Sequence, residues 1–235
     1  MAETTPYTDT KIDRVFHQRK YSGALIDVAG VIIDSEKMYY EANKKLFGEY
    51  GIVITPQDYI KYWLDVERKG LAGVIKDNKL NLDIELVKKE KQAIQNKLLH
   101  MIEPMPHAHK FLEYLREHKV PVAAITSSYR ESAEESLKKC KLIEYITVIV
   151  TRDDVKNEKP HPEPYKKGAQ MLHLAPESCI CVEDTPAGII SAKDAGVGLV
   201  IGCPNEWTKR LSFEGKAKPH VMVNSLEEII KLDLF

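Results

Sequence analysis

Long apolar runs are absent from this chain. No stretch reaches the ~18 consecutive apolar residues of a membrane span. The first twenty residues are polar and mixed in charge, without the apolar centre of a signal peptide, so a soluble, cytoplasmic protein is expected. A dominant charge is absent as well: 34 Lys and Arg residues face 35 Asp and Glu residues, a formal net charge of −1. That balance provides no basic field for nucleic acid and no acidic tail, so an anionic ligand has to be held by a local site. Cysteine is scarce. Cys140, Cys179, Cys181 and Cys203 show neither zinc-site nor CxxC redox spacing, and buried free thiols are the simpler reading.

What is present suffices for a core. With 235 residues, 43% hydrophobic and 29% charged, the chain can build one large domain, or one domain carrying a smaller insertion. Gly23 to Ile26 and then Val31 to Ile33 form an apolar run around a polar turn. Ser35 opens a helical pattern through Tyr39, Ala42, Leu46 and Tyr50, stopped by Gly51. Thr55 followed by Pro56 predicts a second helix running towards Leu64. From Asp83 to Met101 the apolar residues Ile84, Val87, Ile94, Leu98 and Met101 recur at near-helical spacing among lysines and glutamates, which predicts one buried and one solvated face. Pro104 and Pro106 end it. No strand is expected between Thr55 and Met105, so the middle of the chain reads as an all-helical insertion.

After Pro106 helix and strand alternate. Helices are expected up to His118, over Glu131–Cys140, over Pro164–Leu172 and over Pro186–Ala195, the last ended by Gly196. Strands are expected over Val120–Thr126, Ile146–Val150, Cys179–Val182 and Gly198–Ile201, with a short one near Val221. Ser225 with Glu228 predicts a capping box for a final helix. Alternation of this kind implies an α/β fold, a Rossmann-like parallel sheet covered on both faces. Ligands of such sheets lie beyond the carboxyl ends of the strands.

The strand ends carry Asp27, Thr126 and the pair Glu183-Asp184, and the loop beyond the strand Ile146–Val150 carries Lys159. Taken singly, each has an ordinary explanation as a turn residue, a cap, a solvated lysine or a loop acid. Together they form a coherent chemical set. A carboxylate attacking phosphorus must overcome the repulsion between two anions. Asp27, Glu183 and Asp184 offer the hard oxygen ligands that Mg²⁺ prefers. Lys159 adds a second positive charge, and Thr126 with neighbouring N–H groups suits the equatorial oxygens of a transferring phosphoryl group. An aspartyl-phosphate would be the covalent intermediate. His107 and His109 diverge on a helix and are read as surface residues.

Four segments in order resemble the motifs of the haloacid dehalogenase superfamily, in its β-phosphoglucomutase-like phosphatases and phosphomutases. They are Ile26 to Glu36, Ile125 to Ser128, Glu158 to Tyr165 and Val182 to Gly188. The resemblance implies an α/β core over 21–37 and 106–235, an N-terminal extension over 1–20, and a helical cap over 38–105 that closes over the site. It implies Asp27 as nucleophile, with Mg²⁺ held by Asp27, the Ala29 carbonyl, Glu183 and Asp184. Gly30, Glu36, Thr126, Ser127, Ser128 and Lys159 would bind the phosphoryl group or substrate. Specificity would reside around Ser128, Tyr129 and the cap residues Tyr62, Trp63, Arg68 and Lys69. The expected partner is a small phosphorylated metabolite, a sugar phosphate first among them, with no nucleic acid and no membrane; the oligomeric state is left open, with a monomer favoured.

One position departs from the pattern. The family's second aspartate, which protonates the leaving oxygen and later activates the attacking water or hydroxyl, is Ala29 here. Such assistance is worth ~10²–10⁴-fold. Three explanations compete: an inactivating substitution in an ordinary phosphatase, a phosphonoacetaldehyde hydrolase-like C–P bond hydrolase, or a pseudoenzyme that binds a phosphorylated ligand or a partner protein. Against the second, Lys159 stands where those enzymes tend to have arginine, and the cap has no Met-Gly-x-x-Lys-like segment.

Overall fold

In the computed structural model, residues 21–67 and 69–235 are described; the expected N-terminal extension and Arg68 lie outside them. Strand β1 (Gly23–Asp27) is followed by β2 (Ile33–Asp34) and by α1 (Glu36–Gly48). Helix α2 (Pro56–Tyr59) runs directly into a π-helical turn, Ile60–Leu64. Next come α3 (Gly70–Asp77) and α4 (Ile84–Leu98), the latter ending in a 3₁₀ turn at Leu99–Met101. After β3 (Glu103–Pro104), the remaining elements are α5 (Ala108–Glu117), β4 (Val122–Ile125), α6 (Arg130–Lys139) and β5 (Val148–Val150). The chain closes with α7 (Glu163–Met171), β6 (Cys179–Glu183), α8 (Pro186–Asp194), β7 (Leu199–Gly202), β8 (Val221–Met222) and α9 (Leu226–Ile230).

Six strands form one parallel sheet in the order β5-β4-β1-β6-β7-β8. From β1 the chain first builds outward through β4 and β5, then returns to the other side of β1 for β6, β7 and β8. The topological switch therefore lies at β1, where a crevice opens beyond the strand ends. Side chains alternate across the sheet. Ala24 and Ile26 join Phe111, Leu112 and Leu115 of α5 and Leu226 and Ile229 of α9 in one apolar layer. Leu25 joins Tyr165 of α7 and Ile189 and Ala192 of α8 in the other. Burial on both faces explains why the strands read as continuous apolar runs.

Between β2 and β3 the helices assemble a core of their own, with Leu46, Phe47, Tyr59, Tyr62, Val74 and Val87 buried together. A fully buried side chain of the size of Phe47 contributes about 1.5–3 kcal/mol. Local signals start these helices. Thr55 Oγ1 accepts the Asp58 N–H at 3.1 Å while the Asp58 carboxylate accepts the Thr55 N–H at 3.0 Å, and Asp83 Oδ1 accepts the Glu85 N–H at 2.8 Å. All four cysteines are buried free thiols, and His107 and His109 are exposed.

Three expectations need correction. A strand does occur between Thr55 and Met105: Glu103–Pro104 pairs antiparallel with Ile33–Asp34, closing the entry and exit of the helical segment on each other. Two residues are too few for a periodic signal. The Ser225 side chain makes no cap bond; Glu228 reaches past it to accept the Asn224 N–H at 3.1 Å. On α4 the expected solvated face is only partly solvated, because Lys88, Lys91, Gln92 and Gln95 line the cleft below it.

Candidate active site

Strand register brings the strand-end residues together. Asp27 pairs with Ile125 of β4, so Thr126 lies just beyond it, and Ile26 pairs with Val182 of β6, which sets Glu183 beside Asp27. Lys159 arrives from the loop after β5 and is buried at this junction. Its Nζ donates to Asp27 Oδ1, to Glu183 Oε1 at 2.6 Å and to the Ile125 carbonyl at 3.4 Å. Burial opposes the Lys159 charge, but Asp27 and Glu183 outweigh it and hold the ammonium above its ordinary pKa. Lys159 is thus a permanent cation at neutral pH.

The two neighbouring acids differ in their partners. Glu183 is fully buried. Its Oε1 accepts from Lys159 and the Tyr165 hydroxyl (2.7 Å), and its Oε2 accepts from the Asp184 N–H, the Thr185 N–H and the Thr185 hydroxyl at 3.0–3.1 Å. Burial works against its ionisation, yet Lys159 and these donors keep its pKa below the usual carboxylate value. Asp184 has the opposite balance. Its Oδ2 accepts from Asn205 Nδ2 at 2.8 Å, while its Oδ1 is buried without a hydrogen-bond partner. Burial, then the charges of Asp27, Glu183 and Glu36, push the Asp184 carboxyl well up.

One oxygen from each of Asp27, Glu183 and Asp184 lies within 4.8 Å of the others. Three buried carboxyl groups share one ammonium, so ionising all three leaves an excess of negative charge, and a buried oxygen without a partner is costly. A hard divalent cation corrects both defects, so the residues fit one.

Above these acids opens a cleft of about 560 Å³, within the usual range for small-molecule sites. Ala29, Glu36, Thr126, Ser127 and Ser128 all line it. Gly30 takes φ +82, and a Cβ there would overlap Asp184 Oδ2 and Asn205 Nδ2, so both the turn and the close approach require glycine. The buried Glu36 carboxylate accepts the Tyr59 hydroxyl at 2.5 Å. Thr126 Oγ1 accepts the Ser128 N–H at 3.1 Å. Tyr62, Trp63 and Lys69 line the cleft, although Lys69 also pairs with Glu67 at 2.7 Å and the Tyr62 hydroxyl donates to Asp77 at 2.8 Å.

Some site residues carried no sequence signal. Lys91 sits in a run of lysines and glutamates that reads as solvated, yet it faces the cleft with Nζ 5.4 Å from the centre of the Trp63 ring. Burial, with help from the Arg152 charge, lowers its pKa to about 8. Tyr39, at an apolar helical position, shares a 3.0 Å hydrogen bond with Ser128 Oγ. Asn205 acts on Asp184 from 21 residues away, a distance at which no spacing rule applies, whereas Tyr165, which donates to Glu183, closes the third of the motif-like segments.

A parallel α/β sheet with a carboxylate at its switch point, a buried lysine, an acid pair and a helical segment lining the cleft define a class of hydrolase scaffold. The haloacid dehalogenase-like hydrolase family matches residues 24–201, and the chain belongs to that family. A phosphorylated carbohydrates phosphatase of Thermotoga maritima is 29% identical over 215 residues, covering 88% of this chain and 98% of its own. The fructose-1-phosphate phosphatase of Escherichia coli is 29% identical over 182 residues, 77% of this chain and 96% of its own. Among solved structures, the β-phosphoglucomutase of Clostridium difficile superposes with a TM-score of 0.75 at 23% identity, covering 90% and 96% of the two chains. At that identity the likeness concerns the fold.

Proposed function

We propose that this chain is a Mg²⁺-dependent phosphatase or phosphomutase of a small phosphorylated metabolite, with a sugar phosphate the leading candidate and Asp27 the nucleophile. The observation that carries the reading is the buried Asp27 carboxylate, held by Lys159 at the floor of the cleft beside an Asp184 oxygen that lacks a partner. The names of the two phosphatase relatives agree with a sugar phosphate.

Asp27, Asp184, Glu183 and the Ala29 carbonyl would hold Mg²⁺, which supplies charge neutralisation and phosphate orientation when bound. Glu183 already accepts five donors, so Asp184 is the more available ligand. Asp27 attacks phosphorus, forming an acyl phosphate as the bond to the substrate oxygen breaks. Lys159 keeps Asp27 ionised and offsets the charge on the phosphoryl oxygens. Thr126, Ser127, Ser128 and the Gly30 backbone contact those oxygens, and Glu36 reads the rest of the substrate. Water, or a second hydroxyl in a mutase, then takes the phosphoryl group from Asp27. The helical segment, 38–105, acts as the cap that excludes bulk water.

Ala29 removes the proton carrier for both steps, so turnover by this chain is impaired while binding is retained. The test is Mg²⁺-dependent phosphate release from a panel of phosphorylated metabolites, with the parent chain and with Ala29→Asp. Restoration gives a gain of at least ~10-fold. No release by either chain on any substrate would transfer the protein to the non-catalytic, ligand-binding reading.

One observation favours a second reading. Lys91, with its pKa lowered to about 8, is the kind of cap amine that a phosphonoacetaldehyde hydrolase-like enzyme would condense with its aldehyde, losing water to form a Schiff base. Activity confined to phosphonoacetaldehyde, with borohydride trapping on Lys91, would establish it over the phosphatase reading.

A further inference from the structure

We propose that Asn205 is the positioning residue for Asp184, fixing its Oδ2 and with it the orientation of a carboxylate whose Oδ1 is buried without a partner. The inference rests on reading Asp184 as a cation ligand. The amide of Asn205 is used at both ends. Its Nδ2 donates to Asp184 Oδ2 at 2.8 Å and to the Gly30 carbonyl at 3.1 Å, bridging the acid that follows β6 to the turn after β1. Its Oδ1 accepts the N–H groups of Trp207 at 2.8 Å and Thr208 at 3.2 Å. The fully buried Thr208 returns the contact, its Oγ1 accepting the Asn205 N–H at 2.9 Å.

Those turn bonds leave the Asn205 side chain little freedom. Further along, the Trp207 ring packs 5.3 Å from the Tyr40 ring and 5.4 Å from the Tyr59 ring, so the turn is seated on the helical segment as well. An aspartate with one oxygen tied back presents the other in a single direction. Without the tie, the carboxylate would rotate to share its charge with nearby donors, and a ligand that must be reoriented binds more weakly. Partners of this type are worth 10–100-fold in metal affinity.

The experiment measures Mg²⁺ binding directly by calorimetry on the full chain, with Mn²⁺ paramagnetic resonance as a second probe, so turnover is not required. Asn205→Ala is expected to raise the Mg²⁺ dissociation constant roughly tenfold or more. Asn205→Ser, whose hydroxyl can still accept within the turn but is too short to reach Asp184, is expected to do the same with an unfolding temperature near the parent's. It decides the case if Asn205→Ala does not fold. Thr208→Val breaks the turn bond but leaves the Asp184 contact, and is expected to bind Mg²⁺ within about twofold of the parent. Parent-like binding by Asn205→Ser, or equal weakening by Thr208→Val, overturns the positioning role and leaves the phosphatase reading intact. A parent chain that binds neither Mg²⁺ nor Mn²⁺ overturns both.

Discussion

Position 29 isolates one chemical function from the rest of the site. On the proposed reading, alanine at this position takes away a proton carrier and its carboxylate but leaves Asp27, Lys159, Glu183 and Asp184 in place, so phosphoryl capture and turnover become separable. A beryllium or aluminium fluoride mimic needs the nucleophile's oxygen and the surrounding cations, but no proton transfer. The parent chain should therefore bind the mimic in the presence of Mg²⁺ despite slow turnover, while Asp27→Asn abolishes capture. Fluorine resonances of the bound mimic would report this, and capture by Asp27→Asn equal to the parent's would misplace the nucleophile. Ala29→Asp acts on the other half of the chemistry: it should raise turnover at least ~10-fold with little change in capture. Of the residues that converge at the floor of the cleft, Asp27, Thr126, Glu183 and Asp184 were legible because each stands at the end of a recognisable strand, and Lys159 because it lies in the loop beyond another. Lys91 and Asn205 were not, because what matters about them is burial and long-range contact.

Helix α4 shows what periodicity conveys and what it hides. The apolar spacing correctly predicted a helix from Ile84, and only Val87 in it is fully buried. Its polar stripe, read as solvated, is split between solvent and cleft, a distinction made by what packs opposite and not by the helix itself. The same limit explains the two-residue strand at Glu103–Pro104, whose partner lies 70 residues away, and the π turn at Ile60–Leu64, which begins where the predicted helix was expected to continue unchanged. The cleft side of α4 has a measurable consequence. With its pKa at about 8, Lys91 is mostly ammonium at pH 7 and mostly neutral at pH 9. An anionic substrate gains from the ammonium, so KM should rise as pH climbs through 8, by roughly tenfold if Lys91 makes one charge-assisted hydrogen bond. Lys91→Gln should show the higher KM already at pH 7 and lose that pH dependence. A parent KM flat from pH 7 to 9 would remove Lys91 from the binding site.

At the level of the whole molecule, the sheet's switch point concentrates like charges where a stable fold would avoid them. Asp184 has the least support: buried, with Oδ1 unpartnered and Asp27, Glu183 and Glu36 acting against its ionisation. The folded state must therefore be less stable at neutral pH in the absence of a cation than it would be with an amide in that place. Asp184→Asn removes the opposed charge and retains an oxygen for Asn205, so its unfolding temperature in chelator should equal or exceed the parent's. Added Mg²⁺ should reverse the order. A ligand at a hundred times its dissociation constant stabilises the native state by about 2.7 kcal/mol, which in a chain of this size raises the unfolding temperature by roughly 5–10 °C. The parent should show that rise and Asp184→Asn little or none of it. Calorimetric scans of both chains, with and without Mg²⁺, make the comparison. A parent more stable than Asp184→Asn in chelator, together with no Mg²⁺-dependent rise, would mean that the carboxylate cluster is balanced by the protein alone and that its charge is not held in reserve for a cation.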